Sequence, residues 1–283
     1  ALPISRIIAR EIRDAEPPAP AVYMDMTALS EEAAEPLSAI LPSGWWKGEK
    51  VFLVAPTAHF CMGGIVTDRS GETPLAGLFA VGEAAAGTHG ANRLGGNALA
   101  EIFVMGAVVG EAAALRAGEL GPAPAAGTAF EQERSRLEAQ AFPQGMSARQ
   151  AVEDLQRLMW EKAGVIRCQP ELEAALQHLE APSPPVAVAG PADLIRMLEY
   201  RNMRCVARMV CRAALERTES RGAHFRSDHP EEDNPAWLKN IVLRKSSAGL
   251  IVETRPVMLD RLNSKELNRS EERRVGKECR SRW

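Results

Sequence analysis

The most restrictive feature of this sequence is a glycine-rich segment that leads directly into a long apolar helix. Five glycines and four alanines lie within residues 82–97. They let the backbone approach another molecule closely, and the next helix presents free N–H groups and the positive end of its dipole. That helix, predicted from Ala98 to about Ala117, is apolar on nearly every side, so we expect it to be buried in a larger body. The segment therefore predicts a site for an anion or an electron-rich cofactor edge.

Arg93 is the polar side chain of this segment with the clearest chemical implication. It lies just before the apolar helix, where a guanidinium is costly unless it meets an anion. The fork of its N–H groups fits a carboxylate through two parallel hydrogen bonds. Two interpretations stay open at this level: Arg93 binds an anionic ligand, or it forms an internal ion pair with Glu83 or Glu101.

A second polar constellation follows the buried strand predicted at residues 50–55. Here His59 is followed by Gly63 and Gly64, which again permit close approach. Functional side chains of α/β proteins gather at such strand ends, although a single histidine there is also a common structural residue. Both interpretations of His59 stay open at this level.

Bulk composition restricts the kind of partner. The formal net charge is −3, which gives no reason to expect a nucleic-acid partner. We find no run of about 18 apolar residues and therefore predict no transmembrane segment. The five cysteines lack the two-residue spacing of metal or redox motifs, so we expect free thiols and no metal site.

Residue periodicity predicts a mixed first part, a helical second part and a short β ending. The predicted helices are residues 4–16, 30–41, 98–117, 129–139, 147–163, 170–180 and 191–219. The predicted strands are residues 21–26, 50–55, 63–67, 77–81, 241–243 and 249–253, with a turn at 68–71 and a hairpin joining the last two.

Three motifs occur in a fixed order along the chain. They are Ala58-His59-Phe60-x-Met62-Gly63-Gly64-Ile65, Gly77-Leu78-Phe79-Ala80-x-Gly82-Glu83 and His89-Gly90-Ala91-Asn92-Arg93-Leu94. Later come Glu219-Ser220-Arg221-Gly222-Ala223-His224 and Pro235-Ala236-Trp237-Leu238-Lys239-Asn240. Together they resemble the succinate dehydrogenase/fumarate reductase flavoprotein family, which includes L-aspartate oxidase. The resemblance covers roughly residues 1–258.

The resemblance implies an α/β FAD-binding domain, of which this chain holds the C-terminal part together with the end of a capping domain. An all-helical C-terminal domain and a short β extension are expected to follow. The expected boundaries are 1–48 for the capping domain, 49–120 for the FAD-binding domain, 128–225 for the helical domain and 226–268 for the extension. Residues 269–283 lack apolar periodicity, and we expect them to be a non-native tail.

The resemblance also implies roles for individual residues. Glu83 matches the glutamate that binds the ribityl or ribose region of FAD, and Ala98 and Leu99 match a pair at the flavin ring. His59 and Arg93 match the residues that bind a dicarboxylate substrate.

The family's proton-transferring arginine is less directly matched. In an alignment without gaps Ser5 occupies its place, so a one-residue shift is needed to bring Arg6 there. We predict Arg6 as the proton-transfer residue, with a surface charge on the helix as the alternative interpretation. Arg10 is a weaker candidate.

The resemblance implies an FAD-dependent oxidoreductase that interconverts succinate and fumarate by hydride transfer with flavin N5. An iron–sulfur subunit is the expected partner. The expected location is the cytoplasm, with attachment at the inner face of the cell membrane through partner subunits as an open alternative. Two other functions stay open: an L-aspartate oxidase of the same fold, and an inactive helical interaction module.

Overall fold

The computed structural model describes residues 2–15, 21–30, 32, 50–122, 127–139, 144–247 and 249–258. They form two compact units, 1–232 and 233–283. The first unit contains α1 (Leu2–Asp14), β1 (Val22–Asp25), β2 (Val51–Val54), α2 (Asn97–Leu120), α3 (Gly127–Glu138), β3 (Met146–Ser147), α4 (Ala148–Ala163), α5 (Gln169–Glu180), β4 (Val186–Ala187) and α6 (Pro191–Glu216). The second contains α7 (Asn234–Trp237), β5 (Lys239–Ser246) and β6 (Gly249–Pro256).

The chain begins with an amphipathic helix and a two-stranded antiparallel sheet. Ile12 is the buried residue of α1. Strands β1 and β2 pair in antiparallel register, from Val22 opposite Val54 to Asp25 opposite Val51. The predictions of this helix and these strands are confirmed. The predicted helix at 30–41 and the tail at 269–283 lie outside the described residues, apart from Ser30 and Glu32.

The strands predicted at 63–67 and 77–81 do not form. Each segment makes one isolated bridge, Ile65 with Ala85 and Phe79 with Glu72. Pairing at Ile65 stops after one residue because its partner segment contains a 3-10 turn, Gly82–Ala84, instead of extended backbone. The turn predicted at 68–71 is present, with the Asp68 carboxylate accepting the backbone N–H groups of Ser70 and Glu72.

Helix α2 exists as predicted, but the expectation that it is buried is wrong for the described chain. Glu101 and Val109 are buried, whereas Phe103 is 76% exposed and Leu115 66%. The covered stripe of α2 lies against the segments that precede it in the chain: Val109 lies against Gly71, and Glu101 lies 3.5 Å from His89 Nε2. The sequence also predicted no transmembrane segment, yet α2 is long and apolar enough to cross a membrane by length and composition alone.

The helical part has the core expected of three packed amphipathic helices. Helix α4 begins at the N-cap Ser147, whose hydroxyl accepts the N–H of Gln150, and ends at Gly164 as predicted. Helices α4, α5 and α6 pack together around fully buried residues that include Leu172 and Cys211. The short parallel pairing of β3 with β4 closes one side of this core.

A buried arginine fixes the C-terminal end of α6. Arg226 is fully buried, and its Nη1 donates to the carbonyl oxygens of Ala214 at 2.9 Å and Leu215 at 3.1 Å. Its Nε and Nη2 each donate to the Asp228 carboxylate at 2.7 Å. The helix therefore ends on a charged pair that also orients the following turn.

The second unit is a short helix followed by a hairpin. Asp233 caps α7 by accepting the N–H of Ala236. Strands β5 and β6 pair antiparallel from Lys239 opposite Pro256 to Ser246 opposite Gly249. The hairpin prediction is confirmed, and the paired strands are longer than the sequence suggested.

Candidate active site

The loop that carries His59 is tied to the segment that carries Glu83. The backbone N–H of Cys61 donates to Glu83 Oε1 at 2.9 Å. A Cβ on Gly64 would lie 2.5 Å from the carbonyl oxygen of Ala84, so only glycine allows these two backbones to approach this closely. Glu83 is exposed, which leaves its second carboxylate oxygen open to a ligand.

Arg93 lies against an aromatic ring from the same loop. Its guanidinium carbon is 4.5 Å from the centroid of Phe60, and Nη1 donates to the Leu94 carbonyl at 3.3 Å. Its Nε is buried and has no hydrogen-bond partner among the described residues. A half-buried guanidinium with an unused N–H is suited to an anion that completes its hydrogen bonds.

The internal ion-pair interpretation of Arg93 is not what the structure shows. Glu101 lies 3.5 Å from His89 Nε2, both side chains being less than 10% exposed, and Glu83 accepts the Cys61 N–H instead. The His89 ring also meets the edge of Phe60, with 5.2 Å between centroids. His89 therefore supports the ring on which Arg93 lies.

His59 is the neighbour of Phe60 and is exposed. Within the described part of the chain, the His59 side chain makes no hydrogen bond or ion pair. It is therefore free to meet a ligand, and the next residue along the chain, Phe60, is the one that contacts Arg93.

The start of α2 has open space around its backbone. Gly96 has φ +82° and precedes the helix, no side chain caps the helix, and a Cβ on Gly95 or Gly96 would meet nothing within 4 Å. Ala98 is half-buried in the first turn, and Leu99 is 63% exposed. Unpaired N–H groups and open space here suit a flat ligand edge or an anion.

Arg6 reaches a turn that is distant in sequence. Its Nη2 donates to the Gly222 carbonyl at 3.0 Å, across 216 residues, and its guanidinium carbon lies 4.3 Å from the Phe225 ring centroid. Ser5 and Arg6 are half-buried, whereas Arg10 is exposed. The surface-charge interpretation therefore fits Arg10 better than Arg6.

The same turn contacts the Arg93 loop. The N–H of Ala223 donates to the Ala91 carbonyl at 3.1 Å, and a Cβ on Gly222 would lie 2.4 Å from that oxygen. We did not predict Gly222 and Phe225 as part of the site. Gly222 belongs to the motif at 219–224 and Phe225 follows that motif directly, but nothing local indicates which distant segment they contact.

Burial is the main cause of the shifted pKa of His224, which lies in this turn. Desolvation, reinforced by the nearby Arg167 guanidinium, lowers the pKa of His224 to about 4. Arg167 Nη1 lies 3.0 Å from His224 Nδ1, and its Nε donates to the carbonyls of Ala163 and Gly164. A neutral His224 accepts from this cation, so the pair is structural. No cluster of metal-ligating side chains occurs among the described residues.

Comparisons with known proteins indicate the family to which this chain is similar. A family model described as "FAD binding domain" matches residues 9–99, and one described as "Fumarate reductase flavoprotein C-term" matches residues 152–272. The fumarate reductase flavoprotein subunit of Mycobacterium tuberculosis is 35% identical over 215 residues, covering 70% of this chain and 37% of its own. The L-aspartate oxidase of Rhodospirillum rubrum is 42% identical over 184 residues, covering 64% of this chain and 59% of its own.

A solved structure of E. coli quinol fumarate reductase FrdA, determined for a variant, superposes with a TM-score of 0.76 at 29% identity. The superposition covers 93% of this chain and 49% of that one. The chain spans about half the length of the curated relatives it matches, with 46% and 43% covered for two further relatives.

Proposed function

The chain belongs to the succinate dehydrogenase/fumarate reductase flavoprotein family, and we propose that the protein containing it interconverts succinate and fumarate. It is an FAD-dependent oxidoreductase of this family. The fold agrees with the α/β FAD-binding part, helical domain and β extension expected from the sequence.

The observation that carries this proposal is a continuous set of contacts joining the segments of the predicted site residues. Glu83 holds the loop of His59, Phe60 of that loop supports Arg93, and Ala91 beside Arg93 binds the turn that holds Arg6. Residues far apart in sequence thus meet around the start of α2. Such convergence is expected of a reaction site, because each group must hold a fixed direction toward one substrate.

The residues at the start of α2 fit an FAD cofactor. The open glycines leave room for a ring edge, the backbone N–H groups of Ala98 and Leu99 in the first helical turn would be available to it, and Glu83 would offer an oxygen to a sugar or ribityl hydroxyl. When bound, FAD exchanges the hydride through its N5 atom. The domain boundaries at 48, 120, 128 and 225 stay predictions that accompany this assignment.

Arg93 and His59 would hold one substrate carboxylate. The unused Nε of Arg93 and its forked nitrogens match two carboxylate oxygens, and the Phe60 ring supports the guanidinium at 4.5 Å. Positive charge placed there also stabilises negative charge that develops on that carboxylate during reaction. The same residues disfavour a neutral substrate, because the buried N–H of Arg93 would then stay without an anion.

Arg6 would exchange the proton. Reduction of fumarate adds a hydride at one alkene carbon and a proton at the other, so the C=C bond becomes a single bond. We assign the proton to Arg6 from the family resemblance, and its anchoring at Gly222 and Phe225 supports the assignment. Oxidation of succinate returns the proton to the same residue.

L-aspartate oxidase is the second candidate, because the relative from R. rubrum is 42% identical over its matched part. Two observations favour succinate and fumarate instead. The β5–β6 hairpin follows the helical domain, and the fumarate reductase C-terminal model extends through it to residue 272.

The uncovered face of α2 bears on the assembly. Its exposed apolar residues suit burial by more protein, and the chain spans only about half of its relatives. We propose that further residues of the FAD-binding domain cover α2 and that the protein works with an iron–sulfur subunit. Attachment to a membrane would then run through partner subunits.

The test is to purify the protein that contains this chain with FAD bound and to assay three reactions. These are succinate oxidation with a dye acceptor, fumarate reduction with a reduced viologen, and L-aspartate oxidation. We expect turnover of succinate and fumarate. If only L-aspartate is turned over, L-aspartate oxidase replaces the proposed function. If the protein binds no flavin and turns over none of the three substrates, the inactive helical interaction module is the interpretation that stays open.

The register of the proton-transfer residue is tested in the same assays. We expect Arg6→Ala to reduce turnover at least about a hundredfold while Ser5→Ala stays within about threefold of wild type. Arg10→Ala is the matched arginine control, because Arg10 is exposed on the same helix. Loss of turnover in Ser5→Ala but not in Arg6→Ala would move the role away from Arg6.

A further inference from the structure

Phe225 is the largest group in contact with Arg6, and the proposed reaction so far gives it no role. The Arg6 guanidinium lies over its ring at 4.3 Å, a distance at which a cation is attracted to the electron-rich face. The hydrogen bond to Gly222 fixes one nitrogen of the guanidinium, and the ring holds its central carbon. Both contacts come from one short turn.

Helix α1 alone would hold Arg6 poorly. Ile12 is its buried residue, whereas Ile4 and Ile7 are 62% and 59% exposed. An arginine side chain has several freely rotating bonds, so its direction depends on what meets the guanidinium. The direction of Arg6 is therefore set at Gly222 and Phe225.

The turn is itself rigid. Glu219 is fully buried and accepts both Nε and Nη2 of Arg221 at 2.8 Å. Arg221 and His224 exchange backbone hydrogen bonds at 2.9 and 3.0 Å. The Phe225 carbonyl accepts the N–H of Arg167 at 3.1 Å. The Phe225 ring is therefore carried by a backbone whose conformation is held by several hydrogen bonds.

The turn also touches the loop of Arg93. Gly222 accepts from Arg6, and the next residue, Ala223, donates to Ala91, which lies two residues before Arg93. The C=O that accepts from Arg6 and the N–H that donates to Ala91 thus belong to the same peptide group, between Gly222 and Ala223. A substrate held by Arg93 would meet a proton-transfer group whose direction is set by the same turn.

We propose that Phe225 is a positioning residue, which aims the Arg6 guanidinium at a substrate held by Arg93. The inference rests on the proposed function. Its contact is with the Arg6 guanidinium, so its loss should affect proton transfer more than substrate binding. The contribution should appear in kcat, with KM little changed, because substrate binding uses Arg93 and His59.

The experiment compares Phe225→Leu, Phe225→Tyr and the control Phe130→Leu in the flavin-loaded protein. Phe130 is a matched phenylalanine, 62% exposed on α3. We expect Phe225→Leu to lower kcat about tenfold with KM within about threefold, and Phe225→Tyr, which keeps the ring, to stay within about threefold of wild type. The control should match wild type, and all four proteins should bind equal amounts of flavin.

A second readout does not depend on turnover. In protein labelled with 15N-arginine, the ring current of Phe225 shifts the Nε–H resonance of Arg6. That resonance is assigned by its absence from the spectrum of Arg6→Lys. Phe225→Leu should move that resonance, and Phe225→Tyr should keep it. An unmoved resonance would overturn the inference, as would a Phe225→Leu kcat equal to that of the control.

If Phe225→Leu loses bound flavin as well as turnover, the inference is overturned, because Phe225 would then have a purely structural role. If wild type turns over neither succinate nor fumarate, the proposed function fails, and the Arg6 resonance alone then decides whether Phe225 orients Arg6.

Discussion

The guanidinium of Arg93 lies over the ring of Phe60, 4.5 Å from its centroid. The Phe60 ring packs in turn nearly perpendicular to the ring of His89, which lies 3.5 Å from the buried Glu101 of α2. A cation on a supported ring keeps its position and retains nitrogens for an anion. Arg93 is thus not consumed by an ion pair among the described residues, which supports the proposal that it binds an anion.

Arg93→Lys should therefore abolish turnover of a dicarboxylate while the protein keeps its flavin. A lysine retains the charge but loses the two-pronged geometry and the flat contact with Phe60. We expect kcat/KM to fall about a thousandfold or more, measured with flavin content from visible absorbance. The control is Arg69→Lys, because Arg69 is exposed in a neighbouring turn. A kcat/KM within about threefold of wild type would remove Arg93 from the site.

Gly222→Ala should damage both stability and turnover. Gly222 has φ +55°, and an added Cβ would lie 2.4 Å from the Ala91 carbonyl oxygen. The strain and the clash together should lower the free energy of unfolding by about 2–3 kcal/mol. Thermal unfolding and kcat measure the two effects.

Gly118→Ala is the control for this prediction. Its Cβ would meet nothing within 4 Å inside α2, so it should keep or slightly raise stability. Equal unfolding temperatures for the two variants would show that the Gly222 turn relaxes without cost.

The sequence was sufficient for features that depend on local pattern. The periodicity of α4, α5 and α6 predicted helices that do form, because each has an apolar stripe that packs into a shared core. Arg93 was identifiable because a large cation is conspicuous among small residues. The turn at 68–71 followed from Asp68, whose carboxylate accepts neighbouring N–H groups.

The sequence was not sufficient where the structure of a segment depends on contacts with residues that are distant in the chain. The apolar segment 63–67 could have formed a strand, but the 3-10 turn opposite Ile65 ends the pairing after one residue. Phe225 gives no local sign that it meets Arg6, because the contact joins the beginning of the chain to the end of the helical domain. The exposed face of α2 depends in the same way on surface supplied from elsewhere.

Asp228→Asn should strongly destabilise the helical domain. Arg226 donates twice to Asp228, which holds the pKa of that carboxyl well below its usual range. Removing the charge leaves the fully buried Arg226 without its counterion, at an expected cost of about 3 kcal/mol in unfolding free energy. Denaturant titration measures it. Asp154→Asn, which weakens an exposed pair with Arg157, should cost less than about 1 kcal/mol.

The Asp228 pair also implies acid sensitivity in a defined window. Its folded pKa is depressed, so the stabilisation is complete above the ordinary value of 3.8 and is lost as pH falls through the folded value. Asp228→Asn should therefore remove the steepest loss of stability below about pH 4. An unchanged profile there would show that other carboxylates dominate acid unfolding.

His224 predicts a second and milder pH dependence at higher pH. Burial and the nearby Arg167 cation lower its folded pKa from 6.5 to about 4, so the folded protein prefers the neutral ring. Between these values the unfolded chain binds the proton and the folded chain does not, so stability decreases as pH falls from about 6.5 toward 4. The expected loss is about 2 kcal/mol, less than a fully desolvated histidine would give because the ring is only partly buried.

His224→Gln removes the titrating group and should flatten the pH dependence of the unfolding free energy across this window. The control His178→Gln changes an exposed histidine of α5 and should leave the slope unchanged. A slope that survives in His224→Gln would assign the mid-range dependence to another group.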